Sequence, residues 1–263
     1  MSSGGAQIYY ETHGEGRPVV FLHAGIADSR MWKSQLDELS GHRLVTFDQR
    51  GFGKTNWVPE TYADRRDALA VMDHLEIESA VIVGCSLGGG VALHIALGSS
   101  ERTDALVLIG AAARGWEPVD GWSDSALWDQ VEEASEAGDL ERVLELEVQI
   151  WVVGHGRPID EVDRDLIDLV MEMDRIPMET EEERGEFVEP FEPPTNERLD
   201  DIEVPTLVIV GAHDQPDMIE SAEYLAGRLS ETSHVVIPGA AHLPMLEKPK
   251  AFNLTLRDFL DSL

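Results

Sequence analysis

The 263-residue chain has one cysteine, Cys85, which excludes an internal disulfide. Lysine is scarce, present only at Lys33, Lys54, Lys248 and Lys250. Lysine and arginine together number 20 against 51 acidic residues, a formal net charge of -31. So acidic a chain lacks the basic footprint that nucleic acids and anionic membranes require, and neither is an expected partner. No apolar run reaches the about 20 residues that cross a bilayer. The start, Met1-Ser2-Ser3-Gly4-Gly5, has neither the basic nor the apolar stretch of a secretory leader. A cytoplasmic protein is the expectation. The acids are spread along the chain and not set at ligand spacings, so no metal site is indicated.

Hydrophobic residues make up 43% of the chain, an ordinary fraction, and the length suffices for one large domain with a full core. The negative charge aids solubility and costs self-repulsion in the compact state. Two origins of it are open. One is a salt-rich host, whose ions screen the repulsion; the other is a GC-rich genome that favours Arg, Asp and Glu.

There is no fixed-period repeat. The first 110 residues alternate short apolar runs with amphipathic stretches. Val19–Leu22, Leu44–Phe47, Ala80–Val83 and Ala105–Ile109 are apolar or β-branched almost throughout, as strands buried on both faces are. Thr61–Leu75 carries a helical stripe of Ala68, Leu69, Val71, Met72 and Leu75. Strands alternating with helices predict a parallel sheet covered on both sides. From Trp116 to Asp201 the pattern is helical and acidic, over Ala126–Ala137, Leu140–Val153 and Ile159–Ile176, punctuated by Pro177, Pro190, Pro193 and Pro194. Four of the six tryptophans fall here: Trp116, Trp122, Trp128 and Trp151. The strand pattern resumes at Thr206–Val210 and His234–Ile237, and a last helix covers Pro249–Leu263. The expected division is a core of residues 1–114 and 202–263 with a helical lid at 115–201. A tryptophan in that lid reads first as core filler.

Gly84-Cys85-Ser86-Leu87-Gly88 follows one predicted strand and opens a predicted helix. A serine there sits in a sharp, strained turn with its hydroxyl at the C-terminal edge of the sheet, beside the positive end of a helix. The glycines give strand and helix room to approach. Cys85 points back toward the core, as an inert buried thiol does. A serine nucleophile needs a base, and the base an orienting acid. Asp214 and His242 each follow a predicted strand, at the same edge as Ser86 and in the order Ser, Asp, His. Asp217 is the fallback acid; His213 and His234 are fallback bases, His234 at the wrong end of its strand. The backbone N–H groups of Leu87 and Gly25 are the expected oxyanion donors. His23 reads as a loop anchor. Asp48-Gln49-Arg50-Gly51-Phe52-Gly53-Lys54-Thr55 is no phosphate loop, because Asp48 stands where the first glycine is required. It reads as a tight turn tied by Asp48 and Arg50.

Taken in order, Leu22-His23-Ala24-Gly25 with Trp32, Asp48–Gly53, Gly84–Gly89, Gly211–Asp214 and Gly239–His242 resemble the α/β-hydrolase superfamily, and within it the short lidded esterases and lactonases. Asp28–Trp32 and Arg50–Gly53 are similar to enol-lactone hydrolases as well as to generic esterases. The chain has His23-Ala24 where many relatives have His-Gly, with the glycine displaced to Gly25. Ser86 argues against dehalogenases and epoxide hydrolases, which carry aspartate at the turn. The resemblance implies an α/β fold with an eight-stranded, mostly parallel sheet, helices on both faces and a helical lid after the sixth strand. It implies the triad Ser86–Asp214–His242, no cofactor and no metal. The expected function is hydrolysis of a small-molecule carboxylic ester or lactone through an acyl-enzyme at Ser86. Carbon–carbon bond hydrolysis or perhydrolysis by the same triad, and a non-catalytic small-molecule binding protein, are the alternatives. Short peptides are a further substrate class, though no acidic cluster on the lid marks an amine pocket. A homo-oligomer is compatible with the sequence.

Overall fold

The structure is a computed structural model that describes residues 1–119, 121–123, 125–180, 185–186, 188 and 191–263. Pro190, one of the expected punctuation points, lies outside these residues. Seven strands form the main sheet: β3 (Tyr10–His13), β4 (Arg17–Leu22), β5 (His42–Phe47), β6 (Ala80–Cys85), β7 (Thr103–Ile109), β8 (Thr206–Gly211) and β9 (Thr232–Ile237). Their order is β3-β5-β4-β6-β7-β8-β9. Only β3 runs antiparallel to its neighbour.

The central strands are apolar on both sides because both sides are covered. Val19, Phe21, Val81, Val83, Val107 and Ile209 face one way, against Trp32, Phe252 and Leu256. Val20, Leu22, Ile82, Leu106, Leu108 and Val210 face the other. There they meet α2 (Asp64–His74), α3 (Leu87–Gly98) and α7 (Pro216–Arg228) through Met72, Val91 and Leu225. Helices α1 (Lys33–Glu38) and α9 (Pro249–Ser262) cover the first side.

The sheet has seven strands, where eight were expected. The N-terminal segment forms a separate two-strand ribbon, β1 (Ser2–Ser3) with β2 (Ala6–Gln7). Gly4 and Gly5, at φ 45° and 86°, turn the chain back on itself. Ile8 donates to the Met1 carbonyl, while the Gln7 N–H goes to Asn56 Oδ1 and the Ser3 carbonyl accepts from Arg50. The helical insertion therefore leaves after the fifth strand of this sheet, β7, and not after a sixth.

That insertion contains α4 (Ser125–Glu136), α5 (Leu140–Glu147), a π-helical turn at Val148–Val153 and α6 (Arg164–Glu179). Pro177 does not end α6, which continues to Glu179. Thr180 Oγ1 donates to the carbonyl of Ile176 at 3.0 Å and so satisfies a group the helix end leaves free. The short helix α8 (Pro244–Glu247) precedes α9.

Candidate active site

Strand β6 runs straight into the turn at Ser86, and α3 begins at Leu87. Ser86 has φ 51° and ψ -113°, a conformation that L-residues avoid. The strain is held by close packing. A Cβ at Gly84 would lie 2.2 Å from the Gly88 carbonyl oxygen, and one at Gly88 would lie 2.3 Å from that of Leu22. Only glycine lets strand, turn and helix approach this closely. Ser86 donates its N–H to Ile109 at 2.8 Å and accepts from Gly89 and Gly90.

Strand β8 ends at Gly211 and its loop carries Asp214; the loop after β9 carries His242. Both side chains are about 1% exposed. His242 Nδ1 donates to the Asp214 carboxylate, at 2.9 Å to Oδ2 and 3.0 Å to Oδ1. Asp214 Oδ1 also accepts the Gln215 N–H at 2.8 Å. Gly110, the residue after β7, lies against this pair: a Cβ there would stand 2.9 Å from the imidazole and 3.1 Å from Asp214 Oδ2. The buried His242 Nε2 has no hydrogen-bond partner among the described residues. No hydrogen bond therefore joins it to Ser86 Oγ; catalytic hydrogen bonds of this kind commonly form only in the substrate complex.

The remaining candidates separate cleanly. Leu87 N–H belongs to the first turn of α3, where no carbonyl lies within the helix to receive it. Gly25 adjoins it: a Cβ on Gly25 would touch only the Leu87 side chain, at 3.7 Å. Asp217 accepts from the Ser123 N–H at 3.1 Å and makes no hydrogen bond to His242; burial pushes its carboxyl up. His213 turns away toward the His155 carbonyl, and His234 is exposed within β9. Cys85 is fully buried, its thiol pushed well up by burial, with a weak contact to the His242 carbonyl.

His23 Nε2 accepts the Gln49 N–H at 2.9 Å, and Nδ1 donates to the Ala24 carbonyl at 2.8 Å. This fixes the loop that carries Gly25. Burial holds the His23 imidazole below its usual range, consistent with a neutral ring. Asp48 accepts from the N–H groups of Ser29 and Lys54, and Arg50 forms a buried pair with Asp67.

A cavity of about 1400 Å³ opens over Ser86, Leu87 and Gly25. Its far wall comes from the insertion and includes Trp116, Trp122, Trp151 and Met178. Among the described residues four carboxyl groups also line it: Asp64 and Asp67 on α2, Glu147 at the end of α5 and Asp174 on α6. Burial, the neighbouring Glu147 charge and a hydrogen bond between them push Asp174 up to about 9. Burial raises Glu147 as well, so the pair holds a proton at neutral pH. The sequence did not single out this pair, and it gave Trp151 no role beyond core filler. A signal existed for the acids: Glu147 continues the Val143–Leu144 stripe of α5, and Asp174 that of Ile167 and Val170 on α6. Among the described residues no group of His, Cys, Asp and Glu is arranged to hold a metal ion, and no helix is long and apolar enough to cross a membrane.

A mostly parallel sheet with a strained serine turn and a histidine–carboxylate pair at one edge is the plan of an α/β hydrolase. A profile of the family described as alpha/beta hydrolase fold matches residues 17–249, and the chain belongs to that family. It is similar to 3-oxoadipate enol-lactonase 1 of Acinetobacter baylyi, 27% identical over 249 residues, 93% of this chain and 89% of the relative. It is similar to the 2-hydroxy-6-oxo-6-(2'-aminophenyl)hexa-2,4-dienoic acid hydrolase of Metapseudomonas resinovorans, 27% identical over 272 residues, 97% of this chain and 88% of the relative. A thermophilic esterase from Thermogutta terrifontis has a TM-score of 0.80 at 25% identity, over 99% of this chain and 96% of that one.

Proposed function

We propose that the protein hydrolyses a carboxylic ester or lactone through an acyl-enzyme at Ser86, with His242 as base and Asp214 as its orienting acid. One observation carries the reading. The strained serine turn is bonded to Ile109, the buried His242–Asp214 pair lies against the next residue, Gly110, and Ser86 and Gly110 both line the cavity that the insertion walls. In this reading Ser86 Oγ attacks the carbonyl carbon while its proton passes to His242 Nε2. The carbonyl electron pair moves to oxygen and is met by the Leu87 and Gly25 amides. The imidazolium returns the proton to the leaving alkoxide, and the same base then activates water against the acyl-enzyme. Asp214 keeps the Nδ1 tautomer throughout. The substrate is a small molecule that fits the lid cavity.

The esterase and enol-lactonase relatives support this choice of substrate class. The relative named as a dienoic acid hydrolase favours a second reading, in which the same triad cleaves a carbon–carbon bond beside a ketone. Fluorophosphonate labelling with mass mapping tests the nucleophile, and an ester, lactone and vinylogous diketone panel separates the reactions. Label on Ser86 and ester or lactone turnover are expected, with Ser86→Ala losing several orders of magnitude in rate. Undiminished p-nitrophenyl acetate hydrolysis by Ser86→Ala would sink the mechanism. Labelling without turnover on any ester or lactone, with diketone cleavage, would favour the second reading. Absence of labelling and turnover, with tight binding of one small molecule, would make the protein a binding scaffold.

A further inference from the structure

The indole of Trp151 lies on the imidazole of His242, with ring centroids 4.4 Å apart and planes 35° from parallel. The Trp151 carbonyl also accepts the His242 backbone N–H at 3.2 Å. Two contacts of different kinds thus join one histidine to one residue of the insertion. Trp151 sits in the π-helical turn Val148–Val153. Such a turn puts an extra residue into a helix and re-aims the side chains around it. The turn is anchored from the core side, because Gln215 Nε2 donates to the Ile150 carbonyl at 2.6 Å. Trp128 packs edge-on against Trp151 at 5.9 Å and backs the ring from the insertion.

Asp214 grips only the Nδ1 corner of the imidazole. That leaves tilt about the hydrogen bond free unless a surface meets the ring face, and Trp151 is such a surface. An aromatic face also attracts a cation lying on it, whereas it holds a neutral ring mainly by packing. We propose that Trp151 is a positioning residue for His242: its indole fixes the tilt of the imidazole and favours the imidazolium formed when His242 takes the Ser86 proton. This rests on the acyl-transfer reading above. It also makes the π-turn the link by which the insertion governs the base.

Other groups around His242 bear on its charge. Asp214 lies on the loop after β8, Asp217 on α7 and Cys85 at the end of β6. Glu247 of α8 accepts the Ala241 N–H and pairs with Arg157. All of them are unaltered by a change at Trp151, so a titration of His242 isolates the indole. The experiment uses Ser86→Ala protein, which needs no turnover, alone and combined with Trp151→Met or Trp151→Phe. Methionine fills the space without a π face. The His242 ring protons are followed by NMR against pH. Trp151→Met is expected to move the midpoint of the His242 titration down by about half a unit or more, and Trp151→Phe by less in the same direction. With Ser86 restored, the acid limb of the kcat/KM profile should move in parallel, and Trp151→Met should lose roughly tenfold in kcat. A titration unchanged by Trp151→Met overturns the proposal and leaves Trp151 as a wall of the cavity. If Trp151→Met does not fold, Trp151→Phe decides alone, and no downward movement overturns it. Failure of the acyl-transfer reading is visible separately, as absent labelling and turnover in the unaltered protein.

Discussion

Ser86 donates its backbone N–H to the carbonyl of Ile109 at 2.8 Å, which stitches the serine turn to the end of β7. The next residue, Gly110, then passes under His242 and Asp214 with no room for a side chain. Gly110 also has φ 49°, where L-residues are strained. Gly110→Ala should therefore displace the imidazole while leaving the sheet intact. The expected result is a fall in kcat of roughly a hundredfold on a p-nitrophenyl ester, as small misplacements in such sites give. A folded Gly110→Ala protein with undiminished kcat would refute the claim that this backbone seats the pair.

Asp214 and Asp217 lie three positions apart, yet only Asp214 holds His242 Nδ1. Asp214→Asn should cost on the order of 10⁴ in kcat, because an amide can favour the wrong tautomer. Asp217→Asn should cost less than about tenfold, since its contact is to the Ser123 N–H. Steady-state kinetics on both variants decides between them. Equal losses would mean that the acid role is shared or reassigned.

The strands and the serine turn were legible because each obeys a local rule. Val19–Leu22 and Ala80–Val83 are apolar throughout because helices cover both of their faces. The glycines around Ser86 answer to contacts within the turn and with the strand beside it. What stayed hidden depends on partners distant in sequence. In the sequence Met1–Gly5 speaks only to the question of a leader, yet Gly4 and Gly5 close a two-strand ribbon that stands apart from the main sheet. Nothing in Val148–Val153 distinguishes a π-turn from the α-helix expected there. Trp151 reads as filler until the turn places it over a histidine from another loop. Glu147 and Asp174 interrupt apolar stripes on different helices, and only the packing of α5 on α6 makes them a pair.

That pair gives a pH dependence with a definite sign. Asp174 is 2% exposed and keeps its proton in the folded protein up to about pH 9. Unfolded, it releases the proton near the ordinary carboxylate range, about 3.9. Between those values the native state binds the extra proton, so stability falls as pH rises. Asp174→Asn remains neutral and escapes this loss. Its melting temperature should match the parent near pH 4 and exceed it by several degrees at pH 8. Thermal melts at four or five pH values check the slope, and a difference that does not grow with pH would contradict the assignment.

The charge of -31 should make stability depend on salt. Many of the arginines are already committed: Arg30, Arg102, Arg175 and Arg228 each face a carboxylate. The surplus acids have no comparable supply of cations. On α4, Glu132, Glu133 and Glu136 are exposed within two turns of one another. Raising ionic strength from about 0.01 M to 1 M shortens the screening length from roughly 30 Å to 3 Å, less than the spacing of most surface charges. The melting temperature should therefore rise by several degrees, with sodium and potassium chloride acting alike. Glu132→Gln combined with Glu133→Gln should raise it at low salt and leave it unchanged at 1 M. A melting temperature indifferent to salt would mean that the acids are spaced widely enough to cost little. The double variant's loss of advantage at high salt is the stricter check, because salt screens an electrostatic cost at those side chains but not a change in helix propensity or packing.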